Sequence, residues 1–93
     1  MKYRPIEGGF TQMTSITAAG TLAGIPSYAT ACLLQAEVEE VRFTVDGSTP
    51  TAAIGHRLIL TENPYLVPFD PRRVQVIQEA SGAKLNITYL KDA

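Results

Sequence analysis

Residues 41–51 read VRFTVDGSTPT, and this stretch indicates the fold. Val41, Phe43 and Val45 alternate with polar residues, which is the period of a β-strand with one buried face. The strand runs into a polar turn, where Asp and Gly favour tight backbone geometry and Pro50 holds the residue before it extended. We therefore predict a strand that ends in a structural loop of a hairpin.

Similar strand signals continue on both sides of this stretch, with turns every roughly eight to twelve residues and no helical period. We predict an all-β domain, a small antiparallel β-sandwich or jelly-roll-like barrel of about seven strands. The last two strands are expected to form a hairpin through the turn at residues 81–83. The expected strands are residues 12–22, 28–37, 41–46, 55–61, 64–69, 74–80 and 84–91.

The N-terminal segment lacks this pattern. Residues 1–10 contain one proline and two glycines and have no period of either kind, so we predict an extended arm ahead of a single domain at residues 11–93. Tyr3, Ile6 and Phe10 are its large side chains, and we expect them to anchor on a partner. Because most patterned apolar residues come later, removal of the arm is expected to leave the sandwich folded.

The composition limits what the chain can do. It has 93 residues and a net charge of −1, with no long run of like charge, so nothing predicts nucleic-acid binding. No apolar run is long enough to span a bilayer, and residues 1–10 do not predict a secretory signal. A core this thin usually gains support from disulfides, metals or oligomerisation. Cys32 is the only cysteine and His56 the only histidine, so the chain can form neither an internal disulfide nor a Cys/His zinc site. We therefore expect a homo-oligomer without metal or cofactor.

No residue set predicts catalysis. Cys32 lies in an apolar run, where a thiol tends to be buried and inert. Acidic residues at 37, 39 and 40 could be proposed as a carboxylate pair, but nothing in the sequence raises the pKa of one of them. We therefore expect a protein that is not an enzyme.

Four further residues are candidates for contacts with partners. Asp46 and Ser48 lie in the polar turn. We interpret this turn as a structural loop, with a contact surface as the alternative. Ile77 and Leu90 fall on the strand face opposite the main apolar positions, so they could lie either between subunits or under loops of the same chain.

Three segments resemble small bacteriophage and prophage proteins of this length. They are ACLLQAE (31–37), VRFTVDGSTPTAAIGHRL (41–58) and IQEASGAKLNITYL (77–90), in this order and at similar spacing, and the span covers about two thirds of the chain. The resemblance implies a virion component of β-sandwich type, assembled in the host cytoplasm. It implies a capsid decoration, or cement, protein that binds the major capsid protein or other virion proteins and stabilises the head shell.

Two alternatives remain at this point, a tail or head-fibre attachment protein and a small carbohydrate-binding module. For a decoration protein we favour a trimer, because shell surfaces present threefold and quasi-threefold positions.

Overall fold

A computed structural model describes residues 2–93 of the chain. Within these residues eight β-strands form two four-stranded antiparallel sheets, with the apolar core between them. The predicted all-β sandwich is confirmed, with one strand more than expected. The strands are β1 (Tyr3–Thr14), β2 (Gly20–Thr21), β3 (Ala31–Glu37), β4 (Val41–Thr44), β5 (His56–Leu58), β6 (Tyr65–Val67), β7 (Gln75–Gln78) and β8 (Lys84–Asp92), and a 3-10 helix (Pro71–Arg73) precedes β7.

The strand order is that of a jelly roll. Sheet A has the order β1-β8-β3-β6, and sheet B has the order β2-β7-β4-β5. The antiparallel pairs β1–β8, β2–β7, β3–β6 and β4–β5 are therefore nested inside one another along the chain. Two sheets built from such nested pairs define the jelly roll among double-sheet folds.

The side chains of alternate strand residues fill the space between the sheets. In β4, Val41 and Phe43 are buried while their neighbours are half-buried on the outer face. In β8, Leu85, Ile87 and Tyr89 are buried on the facing side. The Tyr89 hydroxyl donates a hydrogen bond to the carbonyl oxygen of Ala23, so this buried phenol has a partner.

The segment predicted as a free arm is the first half of β1. It is extended, but the prediction of a separate arm is wrong, because Tyr3 pairs with Asp92 and Pro5 pairs with Leu90 in the same domain. Ile6 is only 4% exposed and belongs to the core. The main chain of Ala93 also donates to the carbonyl of residue 2 at 2.9 Å. Removal of residues 1–10 is thus expected to unfold or strongly destabilise the domain, contrary to the first expectation.

A β-bulge explains why β1 shows no regular alternation in the sequence. The register of β1 on β8 shifts between Pro5 and Phe10. Gly8 lies in this interval with φ of +74°, and a Cβ on Gly9 would lie 2.9 Å from the carbonyl oxygen of Ile6. Two glycines are required here for conformational and steric reasons, and the bulge that they form interrupts the alternation.

The predicted hairpin between the last two strands is also wrong. β7 belongs to sheet B and β8 to sheet A, so the turn at residues 81–83 carries the chain from one sheet to the other. At the end of β7, Gln78 still pairs with Val41 of sheet B, and its NH donates to the Ile16 carbonyl at 3.0 Å. Val76 and Leu85 reach the same core from opposite sheets, and alternation alone does not distinguish that arrangement from a hairpin.

Two substitutions in β1 test whether this strand is part of the core. Ile6→Ala is expected to lower the free energy of unfolding by about 2–4 kcal/mol, because it leaves a cavity between the sheets. Phe10→Ala, on the exposed side of the same strand, should change it by less than about 1 kcal/mol. Urea denaturation of the two variants measures the difference, and equal effects would show that β1 does not pack as described.

Candidate interaction surface

The structure does not bring the predicted contact residues together. Ile6 and Leu90 are 4% and 2% exposed, buried within the single chain, so their prediction as partner contacts is wrong. Leu90 lies between Pro5 of β1 and Ala31 of β3 in the register of sheet A. Tyr3 is half-buried, and its hydroxyl donates to the Pro68 carbonyl at 3.4 Å.

Ile77 lies on the outer face of sheet B, and that face is charged. It is half-buried and pairs with Arg42, which pairs in turn with Arg57. Arg57 Nε donates to Glu79 Oε2 at 2.7 Å. Arg42 Nε lies 2.8 Å from the same oxygen, although its N–H is not aimed to form a hydrogen bond. Charged residues are depleted at the centres of protein interfaces, so a face with this ion-pair cluster is a poor apolar docking surface.

The polar turn is the end of a hairpin, as predicted, because it joins β4 to β5 in sheet B. Asp46 Oδ1 accepts a hydrogen bond from the Ser48 NH at 3.0 Å. Hydrogen bonding from Ser48 also holds the pKa of the Asp46 carboxyl below its usual value. The Gly47 NH donates to the Arg73 carbonyl at 2.9 Å, and Arg73 Nη2 donates to the Asp46 carbonyl at 2.6 Å. These contacts fix the loop to the segment before β7.

The same loop borders an open depression. Asp46 and Ser48 are exposed and line it together with Gly55 and His56, and its volume is about 370 Å³. The hydrogen bonds of Asp46 and Ser48 within the loop account for their positions. Asp46 and Ser48, which were predicted as contacts, are therefore accessible at the border of this depression, and their hydrogen bonds give them a structural role in the loop.

A row of mostly apolar side chains crosses the outer face of sheet A. Phe10 of β1 pairs directly with Thr88 of β8, Thr88 pairs with Leu33 of β3, and Leu33 pairs with Leu66 of β6. Directly paired residues point to the same side of a sheet. We call these four residues the apolar row. Phe10 is 61% exposed and Leu66 is 37% exposed, so both ends of the row are open to a partner.

A line of polar side chains runs beside the apolar row on the same face. Gln12 Nε2 donates to Asn86 Oδ1 at 2.8 Å, and Asn86 Nδ2 donates to Glu37 Oε1 at 2.6 Å. Gln35 pairs with Asn86 on the neighbouring strand. Hydrogen bonds between strands hold these amides in place, so the face is apolar on one side and ordered and polar on the other.

A cleft at the opposite edge of the sandwich was missed by the sequence analysis. It has a volume of about 270 Å³ and lies where the chain crosses from β5 to β6. Tyr65 is 51% exposed there, and its ring centroid lies 5.4 Å from that of Phe43. The other lining residues include Leu58, Ile59, Glu62 and Asn63. They come from two sheets and a loop, so no local pattern signals them.

The structure offers little for metal or thiol chemistry in residues 2–93. Among these residues no group of three His, Cys, Asp or Glu side chains is placed to hold a metal ion. Cys32 is fully buried, and burial raises the pKa of its thiol to about 12, so the reactive thiolate is not formed near neutral pH.

Comparison with known proteins gives no match to a family model, a curated protein or a solved structure. Of the residues that the structure describes, none belongs to a helix that could cross a membrane. Function is therefore inferred from the surfaces themselves.

The anchored hairpin loop gives a test at Gly47. Its φ is +87°, and a Cβ would meet the Arg73 guanidinium at 3.2 Å. Gly47→Ala is expected to destabilise the fold by about 1–2 kcal/mol, because an L-residue is strained in this conformation. Gly20→Ala is a suitable control, since its Cβ would meet no atom within 4 Å. Thermal unfolding measures both, and an equal response would contradict the loop geometry.

The charged cluster on sheet B predicts a pH effect. The hydrogen bond from Arg57, with the charges of Arg57 and Arg42, holds the pKa of Glu79 below its ordinary value. A lowered folded-state pKa stabilises the fold above the unfolded pKa of about 4.3, and this contribution is lost as pH falls through the folded-state value.

Glu79→Gln should therefore lose less stability than the wild type between about pH 6 and about pH 3. Glu62→Gln, in the exposed loop after β5, removes the same charge and serves as the control. Denaturant unfolding at several pH values is the measurement. If the two variants follow the same pH curve, the ion-pair cluster does not contribute as described.

Proposed function

We propose that this chain is a non-enzymatic structural protein of a phage virion, a capsid decoration protein that docks on the head shell. The apolar row on the outer face of sheet A is the docking surface in this proposal. Its partner is the major capsid protein or another virion protein. The protein would be found in the virion after assembly in the host cytoplasm.

The observation that carries the proposal is the contrast between the two outer faces. Sheet A presents Phe10 and Leu66 at the ends of an apolar row beside an ordered amide line. Sheet B presents Arg42, Arg57 and Glu79 in an ion-pair cluster. An apolar centre with a polar border is the usual composition of a protein–protein contact, whereas a charged cluster favours water.

Two further observations support a virion role without deciding it. Jelly rolls are frequent in viral capsid domains, although the same fold also serves lectins and other proteins. The segments at residues 31–37, 41–58 and 77–90 resemble small phage proteins. The homo-oligomer and the trimer expected from the sequence stay predictions, and neither Ile6 nor Leu90 is exposed to form them.

One observation favours a second candidate function, a carbohydrate-binding module. The cleft near β5 and β6 has a half-exposed Tyr65 beside the polar side chains of Glu62 and Asn63. An aromatic ring that stacks on a sugar, with nearby hydrogen-bonding groups, is a common composition for small-ligand sites. In this case the partner would be a glycan of the host surface.

Binding to particles that lack the protein tests the docking surface. A Phe10→Ser/Leu66→Ser double variant should bind at least about tenfold more weakly, since two large apolar side chains no longer become buried. Ile54→Ser is the matched control, because Ile54 is apolar and 68% exposed on the hairpin loop. Co-sedimentation with purified shells measures the affinity, and unchanged binding of the double variant would exclude the apolar row.

The number of copies on a native particle separates head from tail. A decoration protein should be present on the order of hundreds of copies, since shell lattices repeat one contact many times, whereas a tail or fibre attachment protein occurs at about a dozen or fewer. Glycan binding by the isolated protein that is lost in Tyr65→Ala, with no binding to shells, would instead support the carbohydrate-binding module.

A further inference from the structure

β1 is the edge strand of sheet A, and its two halves are built differently. The first half contains the charged residues Arg4 and Glu7 and also Pro5, which has no NH to donate. It ends in the bulge at Gly8. Charges, proline and bulges are the features by which natural sheets protect an edge from pairing with another chain.

The second half has none of these protections. Residues 10–14 read FTQMT and pair in unbroken register with β8, from Phe10 opposite Thr88 to Thr14 opposite Lys84. Within residues 2–93, no strand or backbone hydrogen bond covers the other side of this segment. Ser15, with φ of +55°, ends the regular strand. We call residues 10–14 the open edge.

The open edge lies within a longer uncharged region. No Asp, Glu, Lys, Arg or His occurs between Gly8 and Ala36. This stretch includes β2, which is the edge strand of sheet B next to β1 in the chain. At the other edge of sheet B, β5 and the loop after it carry His56, Arg57 and Glu62. The other edge of sheet A, β6, is uncharged, but it has only three residues and lies between Pro64 and Pro68. The part of the sandwich that contains the open edge and β2 is thus uncharged, and charged residues are likewise depleted at the centres of protein interfaces.

We propose that the open edge pairs with the open edge of a second copy of this chain, antiparallel about a twofold axis at Gln12. The pair of sheets A would then form one continuous sheet of eight strands. This contact concerns the free protein and does not depend on the proposed virion role.

The sequence of the open edge suits pairing with itself. Around a twofold axis at Gln12, Phe10 lies opposite Thr14 of the second copy, and Thr11 lies opposite Met13 of the second copy. Aromatic and β-branched residues make favourable cross-strand pairs, and no like charges face each other. A different register would bring the bulge or Ser15 into the ladder, so the axis at Gln12 uses the whole open edge.

The area of this contact is small. A five-residue ladder with the adjacent uncharged loop is smaller than the roughly 800 Å² that each partner buries in a standard interface. We therefore expect a weak dimer, with a dissociation constant on the order of 10–100 μM. An antiparallel pair of identical edges is isologous and closes at two copies, so this contact does not produce a trimer.

Sedimentation equilibrium over a concentration range gives the first test. The wild type should approach twice the monomer mass at high concentration. Gln12→Lys places like charges opposite each other at the axis and should raise the dissociation constant at least about tenfold. The new ammonium group would lie near the carboxylate of Glu37, which Gln12 now contacts at 3.4 Å, so the fold should tolerate it. Ala52→Lys adds the same charge at the exposed tip of the hairpin loop and should leave the dimer unchanged.

A disulfide gives the second test. At the twofold axis the two Cα atoms of residue 12 would lie about 4.5–5.5 Å apart, within reach of a disulfide. Gln12→Cys should therefore form a covalent dimer under mild oxidation, and Ala52→Cys should not. Cross-linking through the native thiol should be low, because Cys32 is fully buried.

The two tests together decide the proposal. A mass that stays monomeric at all concentrations, or that reaches a trimer, would overturn it. So would a dimer that Gln12→Lys does not weaken, or a Gln12→Cys variant that cross-links no faster than Ala52→Cys. Far-ultraviolet circular dichroism confirms that each variant is folded before its result is used.

Discussion

The pairing of the first strand with the last is the constraint on which the fold depends. β8 lies between β1 and β3 in sheet A, and its alternate residues supply the centre of the core. The three other nested pairs lie between β1 and β8 in the chain. Closing this outermost pair brings together residues separated by most of the sequence, which is costly in chain entropy and typical of slow-folding β-topologies.

The sequence predicts the elements of this fold better than it predicts their partners. The alternation of Val41 and Phe43 identifies a half-buried strand, and the structure buries both residues. Alternation does not say which sheet a strand joins, so β7 and β8 read as a hairpin although they lie in different sheets. In β1 the bulge at Gly8 breaks the period, and Ile6 reads as an arm residue although it belongs to the core.

The candidate surface was predictable only in part, for the same reason. Phe10 was predicted as an anchor of an N-terminal arm, and the structure confirms its exposure alone. The rest of the apolar row could not be predicted, because Leu33, Leu66 and Thr88 become neighbours only through the register of three strand pairs. The hairpin loop at residues 45–55 is the opposite case, since short-range turn chemistry predicts it. Its hydrogen bonds to Arg73 depend on the tertiary fold and could not be predicted.

The closeness of the two chain ends has a consequence for engineering. Because β1 and β8 are antiparallel neighbours, the main chains of residue 2 and Ala93 are joined by a hydrogen bond. A short linker could connect these ends, and new ends could be opened at the exposed tip near Ala52. In such a circular permutant β8 and β1 would be consecutive in sequence, which would turn the most distant strand pair of the native chain into a local hairpin.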